Sequence, residues 1–320
     1  MKLAVIEGDG VGKEVIPAAL QVLDCFPISF EKVPFEVGYG RWEKTGQAIS
    51  DDDIELLRGC DCILFGAVTT PPDPNYKSVL LTIRKQLDLY ANIRPIHPIK
   101  GIHGVNASSD FDILIVRENT EGMYSGIEEV GSEEAFTKRV VTKHGSARIA
   151  EVACKFAKKR NQKLTIVHKS NVLKSDTLFL DTCRQVANSM GVEHNDMLVD
   201  AMAYDMIRSP EKYGVVVATN LFGDILSDLG AALVGSLGLV PSANIGKNQA
   251  FFEPVHGSAP DIAGQGIANP IAAILSVKML LNWMGEDEAA GKVEMAVEKA
   301  ISNGVKTPDL GGKATTQELT

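Results

Sequence analysis

Asp224 and Asp228 stand four residues apart in Asn220-Leu221-Phe222-Gly223-Asp224-Ile225-Leu226-Ser227-Asp228. On a helix this spacing puts both carboxylates on one face, where like charges cost about 0.2–0.5 kcal/mol unless a cation bridges them. A hard divalent ion such as Mg²⁺ or Mn²⁺ is a natural bridge, because it takes oxygen ligands and retains water. Asp200, at the end of a strand read over Met197–Val199, is placed to add a third carboxylate. A solvated acidic helix face is the alternative. The apolar neighbours Leu221, Phe222, Ile225 and Leu226, with Gly223 permitting close approach, weigh against it without excluding it.

Three arginines adjoin strongly apolar sequence: Arg84 after Leu80-Leu81-Thr82-Ile83, Arg94 in Ala91-Asn92-Ile93-Arg94-Pro95, and Arg117 after Ile113-Leu114-Ile115-Val116. A buried guanidinium must be paired, and its planar fork suits carboxylates. Either anionic ligand groups or structural pairs with Glu118 or Asp88 satisfy that need. Lys169, after the strand Leu164–Val167, has the chemistry for proton transfer if it is partly desolvated near a metal. Tyr124 has a titratable phenol, but spacing alone marks neither residue as catalytic. Gly8-Asp9-Gly10-Val11-Gly12-Lys13-Glu14 fails both common phosphate motifs. Position 13 is not the third glycine of a dinucleotide fingerprint, and a phosphate loop would need glycine at 7 and a hydroxyl at 14. It reads as a glycine turn opening a helix, either a tight connection or a partial anion cradle.

These groups need a scaffold. Short β-rich runs (Leu3–Ile6, Cys62–Phe65, Ile113–Val116, Leu164–Val167, Met197–Val199, Val215–Ala218) alternate with amphipathic windows. The windows are Val11–Leu23, Val79–Leu87, Ser146–Lys159, Asp176–Met190, Leu221–Val234, Pro270–Met284 and Glu286–Ser302. This alternation predicts an α/β protein, and 320 residues allow two domains. The Pro/Gly-rich stretches Thr69–Pro74 and Pro95–Gly104 are candidates for a cleft rim and a chain crossing. Lys and Arg number 32 and Asp and Glu 41, a net charge of −9, which argues against nucleic acid or an anionic membrane as the main partner. Five cysteines without metal spacing read as small buried hydrophobes in a reducing compartment. With neither a signal-peptide pattern nor a membrane-length apolar run, a cytoplasmic location is expected.

Taken together, these segments resemble the β-decarboxylating dehydrogenase family of isopropylmalate, isocitrate, homoisocitrate and tartrate dehydrogenases. The look is nearest to archaeal-type 3-isopropylmalate and homoisocitrate enzymes. The matching segments run in order along the chain: Glu7–Gly12, Leu87–Pro95, Arg117–Tyr124, His168–Lys174, Asn220–Asp228, Glu253–Gly264 and Thr307–Gly312. The resemblance implies NAD-dependent oxidative decarboxylation of a 3-substituted malate. Arg84, Arg94 and Arg117 would hold the carboxylates, with Ser78, Leu80, Leu81, Asn171 and Val172 completing the substrate site. Asp224 and Asp228, with Asp200 of the partner subunit, would bind Mg²⁺ or Mn²⁺. Lys169 of the partner subunit would help remove the hydroxyl proton, and Tyr124 would help protonate the enol. NAD would lie along Val68, Asn220, Glu253, His256, Gly257, Ser258, Ala259, Asp261, Ile262, Ala268 and Asn269. NADP-using relatives carry Lys-Tyr where this chain has Asp261-Ile262, and a carboxylate there would repel a 2′-phosphate.

The same resemblance implies an isocitrate/isopropylmalate dehydrogenase-like fold: two domains sharing a large mixed sheet, without a classical Rossmann unit. Residues 1–89 plus 235–320 would form the cofactor-side domain. Residues 90–234 would form the substrate, metal and dimerisation domain, with a swapped arm near Glu121–Val141. An obligate homodimer with shared active sites follows, or a higher oligomer built on it. Relatives usually continue past Gly311-Gly312 into a last helix, so the terminus reads as short or clipped. For the substrate tail, Leu80 and Leu81 fit an isopropyl group, which favours 3-isopropylmalate. Ser78, with Lys77 or Tyr76, fits the ω-carboxylate of homoisocitrate, singly or in a dual-substrate enzyme; isocitrate fits less well, because Leu80 replaces an expected Asn. A non-catalytic regulatory subunit is the alternative from another class. The retained tyrosine, lysine and aspartates oppose it.

Overall fold

The structure, a computed structural model, describes residues 1–73, 75–102, 104–105 and 110–320. Pro74 and His103, within the two Pro/Gly-rich stretches, lie outside the described residues. The chain divides into two compact units. The first comprises Met1–Leu89, Ile99–Gly104 and Val234–Thr320, and the second Tyr90–Pro98 and Val105–Leu233.

The first unit opens with β1 (Lys2–Gly8), α1 (Gly12–Leu23), β2 (Glu31–Pro34), α2 (Tyr39–Thr45), α3 (Asp51–Arg58), β3 (Cys62–Ala67) and α4 (Val79–Gln86). The second unit follows with β4 (Ala91–Ile96), β5 (Ile113–Glu118), a hairpin of β6 (Glu128–Val130) and β7 (Ala135–Thr137), α5 (Lys143–Arg160) and β8 (Leu164–His168). It continues through α6 (Ser175–Ser189), β9 (His194–Leu198), α7 (Val199–Arg208), β10 (Val215–Ala218) and α8 (Asn220–Val234). The first unit is completed by β11 (Pro241–Ile245), β12 (Ala250–Pro254), α9 (Ile271–Met284), α10 (Asp287–Ser302) and the short α11 (Thr316–Leu319).

In the first unit the strands run β2-β1-β3-β12-β11, parallel except for β11 against β12. In the second they run β4-β5-β10-β8-β9, parallel except for β4 against β5. Strands β3, β5, β8 and β10 are buried along their whole length, which is why they read as unbroken apolar runs rather than alternating ones. Helix α9 is apolar on nearly every side and buries Ile271, Ile274, Leu275, Val277, Leu280 and Leu281. Such a helix belongs inside a core, and it packs on α1, β11 and β12. Phe65 of β3 and Phe251 of β12 meet with ring centroids 4.9 Å apart at the centre of that unit.

Two expectations need correction. The strand read through Val199 ends at Leu198, and Asp200 sits in the first turn of α7. Met202 and Met206, one turn apart, anchor this helix by burial, and an acid in the first turn is favoured by the free N–H groups there. Four of the five cysteines are buried; Cys25, just past the end of α1, is exposed. Burial pushes the Cys62 thiol up to about 12 and that of Cys154 to about 11, so both behave as small hydrophobes.

The glycine turn after β1 is a tight connection. The N–H groups of residues 11 to 14 donate to the carbonyls of Ser258, Asp9, Gly10 and Val11, leaving none of these four for an anion. Gly10 has φ +57°, and a Cβ there would lie 1.9 Å from the Ser258 carbonyl. Only glycine fits.

Candidate active site

Strand β10, paired on both sides, leads into α8, so its C-terminal end fixes where Asn220, Asp224, Ser227 and Asp228 emerge. The neighbouring strands β4 and β5 carry Arg94 and Arg117, both almost fully buried. Arg117 gives Nε and Nη2 to Asn220 Oδ1 (3.1 and 2.7 Å) and pairs through Nη1 with Asp224 Oδ1. Arg94 donates to Asn92 Oδ1 (2.7 Å), Ser227 Oγ (2.6 Å) and Asp224 Oδ1 (3.2 Å), and lies 3.9 Å from Asp228. The Tyr124 hydroxyl donates to Asp224 Oδ2 at 3.3 Å, with the Arg117 guanidinium 5.8 Å from its ring centre. A Cβ at Gly223 would come within 2.7 Å of the Arg117 side chain, so this glycine is what lets Arg117 lie against the helix. The expected residues Arg94, Arg117, Tyr124, Asp224 and Asp228 therefore share one cluster.

The electrostatics of this cluster favour a dianion arriving with a dication. Two arginines already balance two aspartates. A dicarboxylate alone would leave two uncompensated charges in a partly desolvated site, whereas a dicarboxylate with a divalent ion leaves none. The Asp228 carboxyl is raised above the usual range: desolvation is the larger cause, Arg94 pulls it down and Asp224 pushes it up. A bound cation would relieve both upward pressures. The all-oxygen donor set suits a hard ion. Among the described residues of one chain, no group of three His, Cys, Asp or Glu could hold a metal. The third candidate ligand, Asp200, instead pairs with Lys169 Nζ at 2.5 Å, and that hydrogen bond holds its carboxyl low. Lys169 is set by a tight turn in which its N–H donates to the buried Asp176 Oδ2 at 2.7 Å. Asn171 and Val172 follow on the exposed side of the same turn.

In the first unit Arg84 is buried and pairs with Glu253 at 2.7 Å, while Asn244 also donates to Glu253 (2.6 Å). The structural partner considered from sequence was Glu118 or Asp88. Glu118 instead accepts the N–H groups of Thr120 and Glu121. Arg84 Nε is buried without a hydrogen-bond partner, so an acceptor can still be added. Ser78 caps α4 through the Leu81 N–H (3.4 Å), and Leu80 and Leu81 are partly exposed in its first turn.

A cavity of about 250 Å³ in this unit is lined by His256, Ala259, Ile262, Ala268 and Asn269, all expected at the cofactor, together with Asp309. Asp309 accepts from Ser236 (2.6 Å), Asn269 (3.0 Å) and Thr307 (2.6 Å), fixing one wall. Sequence reasoning gave it no role, although it stands in the Thr307–Gly312 motif. His256 Nδ1 faces the Gly257 carbonyl (2.9 Å), and Nε2 is buried and unpartnered. Burial holds this imidazole below its ordinary pKa, so Nε2 presents a neutral lone pair, the feature an N–H of a base or ribose hydroxyl requires. A nucleotide cofactor fits these residues. Ser258 is buried with its hydroxyl 2.7 Å from Thr69 Oγ1, next to Val68; Gly257 and Asp261 are exposed. Asn220, expected at the cofactor, is occupied in holding Arg117 and in donating to the Glu121 carbonyl.

Residues 2–320 match the family model described as isocitrate/isopropylmalate dehydrogenase. A homoisocitrate dehydrogenase of Methanocaldococcus jannaschii is 47% identical, with 100% of this chain and 95% of that protein covered. A 3-isopropylmalate/3-methylmalate dehydrogenase of the same organism is also 47% identical, over 99% and 96%. The crystal structure of isocitrate dehydrogenase from Methylococcus capsulatus superposes with a TM-score of 0.95 at 41% identity, covering 99% of this chain and 96% of that one. The α/β architecture of this chain, with parallel and antiparallel strands, is the one expected from the resemblance. The chain therefore belongs to the isocitrate/isopropylmalate dehydrogenase family, an enzyme family of decarboxylating dehydrogenases.

Proposed function

We propose that this protein oxidises a 3-substituted malate at C2, using NAD and Mg²⁺ or Mn²⁺, and releases the β-carboxylate as CO₂, with 3-isopropylmalate the preferred substrate. The observation that carries the reading is the cluster of Arg94, Arg117, Tyr124, Asp224 and Asp228, charge-balanced by itself and therefore suited to a dianion plus a dication. Arg84, Arg94 and Arg117 take the carboxylates. Asp224 and Asp228, with Asp200 of the partner subunit, hold the ion. When bound, the ion supplies Lewis-acid polarisation at the C2 oxygen and the nicotinamide accepts the hydride. Lys169 of the partner subunit takes the C2 hydroxyl proton at Nζ. After CO₂ leaves, Tyr124 delivers a proton to C3 from its phenol. Each proton transfer is typically worth about 10²–10⁴ in rate.

A homodimer is part of this reading, because Asp200 and Lys169 of one chain stay with each other rather than with Asp224 and Asp228. Val130 and Phe136, on opposite faces of the β6–β7 hairpin, are 82% and 56% exposed, so each face offers one apolar side chain to a second copy. NAD rather than NADP follows from the carboxylate of Asp261. A cytoplasmic location accompanies the reading; among the described residues, no helix is long and apolar enough to cross a membrane.

The partly exposed Leu80 and Leu81 support the isopropyl tail. The Ser78 hydroxyl, free to donate while it caps α4, supports homoisocitrate as the second reading. The test is NADH formation at 340 nm with 3-isopropylmalate, homoisocitrate and isocitrate, each with Mg²⁺ and with a chelator. Turnover of 3-isopropylmalate that stops on chelation is expected. No turnover of any acid, or turnover indifferent to chelation, overturns the reaction; a kcat/KM for homoisocitrate equal to or above that for 3-isopropylmalate overturns the substrate.

A further inference from the structure

Arg139, which follows β7, has no part in the reading above, yet it is nearly buried against two elements that do. One guanidinium nitrogen donates to Ser175 Oγ at 2.8 Å and lies 2.5 Å from Asp176 Oδ1. The other donates to Thr219 Oγ1 at 3.2 Å, and the guanidinium carbon stands 5.5 Å from the Phe222 ring centre. Asp176 is completely buried, and its second oxygen receives the Lys169 N–H. The turn from Lys169 to Asp176 is closed by Val172 and Leu173 N–H groups on the Lys169 carbonyl, and by the Asp176 N–H on Leu173.

We infer that Arg139 is a positioning residue for Lys169, acting through Asp176. The argument is one of relative strength. A buried carboxylate requires a cation, and a charged contact at 2.5 Å outweighs a 3.2 Å bond to a hydroxyl or a ring contact. The 2.5 Å contact falls outside hydrogen-bond angles, but Coulomb attraction does not depend on that angle. Without the cation, the buried Asp176 loses the contact that holds it in place, the turn loosens, and Nζ leaves its productive position. Misplacement by about 1 Å is enough to cost about 10²-fold in rate. Arg139→Met is expected to lower kcat about 10–100-fold with KM for the acid little changed, and Arg139→Lys to recover much of the loss.

The inference rests on the shared-site reading, and mixed dimers separate the two. Heterodimers purified from coexpressed Lys169→Met and Asp228→Asn chains carry one intact site per dimer if sites are shared, giving about half of native activity. With that control working, Arg139→Met paired with Asp228→Asn should also give about half, because the intact Lys169 turn comes from the Asp228→Asn chain. Arg139→Met paired with Lys169→Met should stay low. The reverse pattern would place Arg139's effect on α8 through Thr219 and Phe222, and equal recovery in both pairings would mean general destabilisation. Either overturns the inference. A failed control overturns sharing instead, and amide exchange then decides. Faster exchange at residues 169–173 in Arg139→Met, reversed by Arg139→Lys, supports the hold on the turn, and unchanged exchange refutes it.

Discussion

Asp224→Asn should weaken catalysis and strengthen metal-free anion binding at once. In the native cluster Asp224 accepts from Arg94, Arg117 and Tyr124. The substitution deletes one of two negative charges and leaves the two arginines with a surplus. Take a bound carboxylate about 6 Å from Asp224 and an effective dielectric of about 20–40: removing the repulsion is then worth about 1.4–2.8 kcal/mol. Asp224 is 34% exposed, so solvent screening carries the value toward the lower end, about tenfold in affinity. Calorimetric titration of malate into chelator-treated protein at low salt should therefore give a Kd about tenfold lower in Asp224→Asn than in the native chain. Turnover with Mg²⁺ should fall by at least 10³-fold, because an amide is a poor ligand and the arginines no longer balance. Unchanged or weaker malate binding, in a variant that retains its fold, would refute the assignment of Arg94 and Arg117 as a carboxylate site gated by the aspartates.

Three further outcomes are expected. Gly223→Ala, ordinarily stabilising in a helix by up to about 1 kcal/mol, should instead displace Arg117 and raise KM for the acid about tenfold, read from steady-state kinetics. Asp261→Lys combined with Ile262→Tyr should raise kcat/KM for NADP at least tenfold while lowering it for NAD. Asp53→Asn should cost about 1 kcal/mol at neutral pH. Burial pushes the Asp53 carboxyl up, but Ser50 and Arg41 outweigh it and hold it below the usual range. A depressed folded pKa contributes stability above the unfolded value near 4. That stability fades as pH falls through the folded value, so urea midpoints of native and variant protein should converge below about pH 4.

The chemistry-bearing residues were legible wherever local spacing carries the information. The four-residue interval of Asp224 and Asp228, the apolar flanks of Arg94 and Arg117, and the alternation of strand and helix windows all survive as physical features. What was not legible depends on contacts distant in sequence. Arg84 pairs with Glu253, 169 residues away, because the first unit is built from both ends of the chain, and nearby acids such as Glu118 are taken by local N–H groups. Asp309 and Asp176 each have a partner near in sequence, Thr307 and the Lys169 N–H, but their roles also depend on distant ones, Ser236 and Asn269 in one case and Arg139 in the other. Asp200 was placed on a strand because Met197–Val199 is β-rich. Only the later pair Met202 and Met206 signals the helix.

The interleaving of the first unit bears on how the chain is born. On a ribosome, β3 emerges early, but its parallel neighbour β12 is not made until residue 250. At about 5–20 residues per second that edge waits about 10–40 s while the whole second unit is synthesised and free to fold. Cys62, Ile63 and Leu64, fully buried at the end, can pair with β1 from the start, but their hydrogen-bonding edge on the β12 side stays open meanwhile. A chaperone acting on nascent chains would find its target in that window.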